Sequence, residues 1–101
     1  MDMSFKTKLE VNGFSVELNP FVHEFLTRTV VGAVSSLKGA EDIQGLELYL
    51  ERDDVRIVVN GSELPLTPFP KEIINKTIVG LVSPLKGVDK VDSLKINIRP
   101  K

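Results

Sequence analysis

Apolar and polar residues alternate strictly near the start of this chain. Phe5, Thr7, Leu9 and Val11 alternate with Lys6, Lys8 and Glu10, and Phe14, Val16 and Leu18 alternate with Ser15 and Glu17. A period of two puts every apolar side chain of a strand on one face. Between the two runs stands Asn12-Gly13, the pair that suits a two-residue type I′ turn, in which both central residues need positive φ. That turn sets Val11 opposite Phe14, Leu9 opposite Val16 and Thr7 opposite Leu18, so register and pattern agree. The period then lengthens to between three and four. Asn19-Pro20 offers an N-cap followed by Pro at the first helical position, and Lys38-Gly39 offers a basic last turn closed by Gly, predicting a helix over 19–38. Leu46, Leu48 and Leu50, alternating with Glu47, Tyr49 and Glu51, predict another strand.

The second half of the chain repeats this order. With a shift of 48 residues, Val11-Asn12-Gly13 falls on Val59-Asn60-Gly61, Pro20-Phe21 on Pro68-Phe69, and Val31-Gly32 on Val79-Gly80. Leu37-Lys38-Gly39 falls on Leu85-Lys86-Gly87, and there are 16 identities over the 42 aligned positions from 11 to 52. Val55, Ile57 and Val59 lie opposite Leu66, Leu64 and Ser62, Thr67-Pro68 opens a helix over 67–86, and Leu94, Ile96 and Ile98 form the last strand. The expectation is a single domain over 1–101 made of two copies of a β-β-α-β unit, about 4–51 and 52–99.

Six strands, each apolar on one side and charged on the other, imply a sheet covered by helices on one face only. The expected fold is two-layer α+β: a mixed six-stranded sheet with two helices on one face, arranged about a pseudo-twofold axis in a layout related to ferredoxin-like folds. Helical spacing turns Leu26, Val30, Ala33 and Leu37 toward the sheet, with Ile74, Ile78, Leu81 and Leu85 in the second helix. Phe25, Thr29, Gly32 and Ser36 then form a seam facing Ile73, Thr77, Gly80 and Pro84. A mid-helix Gly costs about 1 kcal/mol relative to Ala, and its presence in both halves predicts a close approach of Gly32 to Gly80. Glu24, Arg28, Val31, Ser35 and Lys38 fall on the outward stripe, as do Glu72, Lys76, Val79, Ser83 and Lys86.

Composition narrows the chemistry. Thirteen basic and 14 acidic residues leave a net charge of −1, so no overall field attracts phosphate or anionic lipid. With no Cys there is no thiol nucleophile, disulfide or zinc ribbon. No apolar run reaches the length of a membrane span, and Met1-Asp2-Met3-Ser4 lacks the start of an apolar leader, so a soluble, cytoplasmic protein is expected.

Individual residues give little support for catalysis. His23 is the only His, no acid pairs with it in register, and Lys71 takes its place in the second half, so it reads as an exposed, dispensable residue. Ser35, Ser36 and Ser83 have no His in helical register. Asp53-Asp54 and Glu41-Asp42 read as turn formers, and neither a metal site nor a cofactor is implied. On the polar sheet face Tyr49 is the one aromatic among mixed charges, which disfavours the stacking platforms of RNA-binding sheets. Val31 and Val79, repeated on the outward stripe among Glu24, Arg28, Ser35, Lys38, Glu72, Lys76, Ser83 and Lys86, point instead to a partner surface. The expected role is a protein-interaction or assembly module without independent catalysis, its partner another protein or a second copy in a homo-oligomer. An enzyme whose site forms at an oligomer interface is the alternative, and nucleic-acid binding the third.

Overall fold

The computed structural model describes residues 5–101, so the expected repeat start at position 4 and the reading of residues 1–4 lie outside it. Among the described residues the elements run β1 (Phe5–Val11), β2 (Phe14–Val16), α1 (Pro20–Ser35), β3 (Leu46–Glu51), β4 (Asp54–Val59), β5 (Ser62–Glu63), α2 (Pro68–Val82) and β6 (Ser93–Pro100). The fold is α+β.

The sheet has the order β2-β1-β6-β3-β4-β5, and every neighbouring pair is antiparallel. It is therefore not the mixed sheet expected. β1 and β3 do run in the same direction, but β6 lies between them, and β3 likewise separates β4 from β6, so no parallel ladder forms. Leu48 faces Ile96 in the central pair. The first hairpin has the predicted register, Val11 opposite Phe14 and Leu9 opposite Val16, and ends before the expected Thr7–Leu18 pair. In the second, Val59 faces Ser62.

The apolar side of the sheet, from Leu9 on β1 to Val59 on β4, is covered by Leu26, Val30 and Val34 of α1 and by Ile74, Ile78 and Val82 of α2. Together they form one core. The helix stripe is rotated from the expected one: Ala33, Leu37, Leu81 and Leu85 are only half-buried, and Thr27, Val34 and Val82 are buried in their stead. One reason is that the helices stop at Ser35 and Val82, before Leu37 and Leu85 can join them. The Ser35 and Ser36 hydroxyls donate to the carbonyls of Gly32 and Ala33, and Ser83 does the same to Val79, competing with the helical ladder, after which Pro84 has no N–H to continue it. Gly39 and Gly87, with φ of +92° and +85°, close a turn beyond each helix rather than the helix itself. Asn19 caps α1 by accepting from the Val22 N–H at 2.8 Å, whereas Thr67 makes no side-chain cap.

Each Asn-Gly turn has a second task. Asn12 and Asn60 hold φ of 53° and 52°, and each directs its amide at the loop before a central strand. Asn12 Oδ1 accepts from the Asp92 and Ser93 N–H groups at 2.8 and 2.9 Å, and its Nδ2 donates to the Lys90 carbonyl at 2.5 Å. Asn60 Oδ1 accepts from Gln44 and Gly45 at 2.8 and 3.1 Å, and its Nδ2 donates to the Asp42 carbonyl at 3.0 Å. The turn in each half thus fixes the entry of the final strand in the other.

Gly32 and Gly80 do not meet. Gly80 lines a groove with Phe21 and Phe25, and Ile73 and Thr77 line another with Ala33 and Ser36, so the helices run antiparallel with each N-terminal half beside the other's C-terminal half. A Cβ built at either glycine would meet no atom within 4 Å. The expectation of close backbone approach there is incorrect. Both glycines sit two residues from buried positions, Val30 and Val34 or Ile78 and Val82, and so face away from the sheet.

Candidate functional site

The residues with chemical potential are engaged in the fold. His23 is half-buried rather than exposed, and its Nε2 accepts from the Thr7 N–H at 3.0 Å, tying α1 to β1. Beneath it the Thr7 and Thr27 hydroxyls hydrogen-bond to each other, and Thr27 donates to the His23 carbonyl at 2.6 Å. At the matching place in the other half the tie is ionic: Lys71 Nζ lies 2.9 Å from Asp54 Oδ1. The hydrogen bond and charge of Lys71 hold the Asp54 carboxyl below the usual carboxylate range. Ser35, Ser36 and Ser83 spend their hydroxyls on helix carbonyls. Among the described residues, no three His, Asp or Glu side chains converge as metal ligands would.

Around Tyr49 the polar sheet face carries a network of paired charges. Tyr49 donates to Glu47 at 2.8 Å, Arg99 reaches the same carboxylate at 2.7 Å, and Arg56 lies 3.7 Å from Glu63. The Arg56 guanidinium and the Lys95 ammonium stand over the Tyr49 ring at 5.0 and 5.7 Å from its centre. This ring is already covered by cations of its own chain. The bond to Glu47 raises the Tyr49 pKa, since an ionised phenol would have no proton to donate and would face a carboxylate.

The outer side of the helix layer is different. None of the five phenylalanines of the chain is fully buried: Phe5 on β1 packs half-buried against the core, Phe14 on β2 is 75% exposed, and on the helices Phe21 is exposed at 74%, Phe69 at 71% and Phe25 at 50%, with Ile73 at 51%. Phe21 and Phe25 stack with ring centres 5.8 Å apart and planes inclined by 12°. Burying a Phe side chain fully is worth roughly 1.5–3 kcal/mol, and the fold leaves most of that gain unused at Phe14, Phe21 and Phe69 and part of it at Phe25, while building its core chiefly from Leu, Ile and Val. Phe21, Phe25, Phe69 and Ile73 all project from the N-terminal halves of α1 and α2. Beside the Phe21–Phe25 stack an apolar groove of about 330 Å³ runs along Gly80, Leu81, Pro84 and Leu85.

Of the stripe expected from the sequence, Glu24, Arg28, Ser35, Lys38, Glu72, Lys76, Ser83 and Lys86 are exposed, and Glu24 pairs with Arg28 one helical turn on. Val31 and Val79 are not at its centre: both are half-buried and pack against the core. No family model, curated protein or solved structure matches this chain. Its surface is thus the ground for a functional reading, and the part that departs furthest from a solvated surface is the aromatic face of the helices.

The sequence did carry a signal for that face. Phe21 and Phe69 are identical across the 48-residue shift, and Phe25 and Ile73 are both large and apolar. Helical periodicity places 21, 25, 69 and 73 on the side opposite Val30 and Ile78 once the buried stripe is correctly phased.

Proposed function

We propose that this protein acts by protein–protein contact through the outer face of its helix layer, without catalysis of its own. The observation that carries this reading is the set of exposed aromatics, Phe21, Phe25 and Phe69 with Ile73, on two adjacent helices. Scattered surface apolar residues are ordinary, whereas adjacent ones flanked by charge mark interaction sites; Phe21 stacks on Phe25 beside an apolar groove at one end of the layer, and Phe69 and Ile73 form a second pair at the other. Glu24, Arg28, Glu72 and Lys76 supply such flanking charge. The wet sheet face favours nucleic acid less, because its one aromatic ring is occupied by Arg56 and Lys95.

The two β-β-α-β segments are, in this reading, copies of one ancestral unit. The 48-residue identities and the equivalent bonds of Asn12 and Asn60 support it. The interleaving of β6 between β1 and β3 relates the layout to split β-α-β arrangements of the ferredoxin-like kind.

A photo-crosslinking residue tests the surface in cells. Placed at Phe25 it should give discrete protein adducts, and placed at Lys8 on the sheet face it should give none. Absence of adducts at position 25, or equal labelling from both positions, removes the interaction reading.

A further inference from the structure

We propose that Asn12 and Asn60 are sites of spontaneous deamidation, and that the loops before β6 and β3 hold the reaction in check. The chemistry needs an amide side chain and an unhindered nitrogen on the next residue. Of the five asparagines, Asn19 precedes Pro20, whose nitrogen carries no proton, Asn75 precedes Lys76 inside α2, and Asn97 precedes the β-branched Ile98 within β6. Asn12 and Asn60 alone precede Gly, and both pairs are exposed at hairpin turns. Apart from the turn itself, no described atom lies within 4 Å of where a Cβ of Gly13 or Gly61 would stand, so the fold does not screen either nitrogen by bulk.

In the reaction the Gly13 nitrogen attacks Asn12 Cγ, the new N–Cγ bond closes a five-membered imide, and Nδ2 leaves as ammonia with the proton that the Gly13 nitrogen gives up. Water then opens the imide at one of its two carbonyls, giving aspartate or isoaspartate, the latter with its main chain running through Cβ. Ring closure needs Cγ turned onto the next nitrogen, whereas the fold directs the amide at a loop distant in sequence. Asn12 Oδ1 is held by the Asp92 and Ser93 N–H groups and its Nδ2 by the Lys90 carbonyl, an acceptor with no proton to give a departing ammonia. Asn60 is held in the same way by Gln44, Gly45 and the Asp42 carbonyl. The reaction therefore waits on local opening of the loop. Its product does not restore the bonds, because the second carboxylate oxygen takes the place of Nδ2 and sets acceptor against acceptor at Lys90 or Asp42. Isoaspartate also adds a main-chain atom to a two-residue turn whose register pairs Val11 with Phe14, or Val59 with Ser62. Each event thus loosens the entry of the final strand in the other half, and does so irreversibly.

Peptide mapping by mass spectrometry, on the full chain incubated at mildly alkaline pH with and without guanidinium, tests this. Both sites should react at least about 10-fold more slowly in the folded chain, since three hydrogen bonds have to open first. Asp92→Pro removes one N–H from Asn12 alone, and Gln44→Pro removes one from Asn60 alone. Each variant should speed its own site several-fold and leave the other at the parent rate, whereas general loosening of the fold would speed both alike. Asn19 and Asn75 should stay unchanged throughout. Equal rates in folded and denatured chain, or no reaction at Asn12 and Asn60 in guanidinium, overturns the proposal. So does a Pro variant with a native circular dichroism spectrum that leaves its own site at the parent rate or speeds both sites equally. Should a Pro variant fail to fold, the ratio of folded to denatured rates in the parent decides for that site.

Discussion

Asn12 Oδ1 lies 2.9 Å from the backbone nitrogen of Ser93, which joins the first turn of the fold to the start of its last strand. The residue thus has two functions: it adopts the left-handed backbone that the turn requires, and its amide satisfies three groups of a distant loop. Asn12→Gly separates them, since Gly keeps the turn and loses the amide. The expected cost is about 2 kcal/mol, read from urea unfolding, with a similar loss for Asn60→Gly. Variants as stable as the parent would show that the loops are held by the ladders alone.

His23 should be structural, contrary to its reading from sequence. His23→Ala leaves the Thr7 N–H without its acceptor in a half-buried place, and about 1–3 kcal/mol of stability should be lost. The bond also assigns the ring proton to Nδ1. The amide resonance of Thr7 should move more than those of Lys6 and Lys8, and an unchanged spectrum at Thr7 would reject the tie.

Asp54 and Lys71 make a pH-dependent tie. Because the native carboxyl titrates below its unfolded value, the stability it adds is present above the ordinary carboxylate range and is lost as pH falls through the lowered value. Both partners touch solvent, so the effect on unfolding should be small and sensitive to salt. Lys71→Met should return the Asp54 carboxyl to the ordinary range in a carbon-detected NMR titration. An Asp54 curve that does not move refutes the pairing.

Tyr49 has the opposite sign. Its native phenol titrates above the ordinary value of about 10. The stability it adds is therefore complete below that value and disappears as pH rises through the raised one. Glu47→Gln should lower the midpoint measured by near-ultraviolet absorbance, and a midpoint that stays raised would assign the shift to burial instead.

Much of the sheet was readable from the chain because its information is local. Alternation gave the strands, and the Asn-Gly pairs gave the first hairpin its register, which the structure repeats residue for residue from Leu9 to Val16. Strand order was not readable: nothing in the alternation of β6 says whether it pairs with β1, β3 or both. The helix faces were misphased because Ala33 and Leu37 fit a helical period as well as Val34 and Thr27 do, and only the early stop at Ser35 decides between them. That shift moved Val31 and Val79 off the outer face and left Phe21 and Phe69 on it. A buried Thr27 is likewise illegible until Thr7 is placed beside it.

The position of β6 between β1 and β3 has a consequence for synthesis on the ribosome. Phe5 pairs with Pro100, so the contacts that close the sheet join the earliest described residue to nearly the last. Until Ser93–Pro100 has emerged, β1 and β3 each wait with one unpaired edge, and pairings this distant in sequence form slowly. Translation that halts before Ser93 does not yield a smaller version of the fold. It releases the β1-β2 hairpin and the β3-β4-β5 meander with open edges, free to pair with the nearest available strand, including that of another unfinished chain.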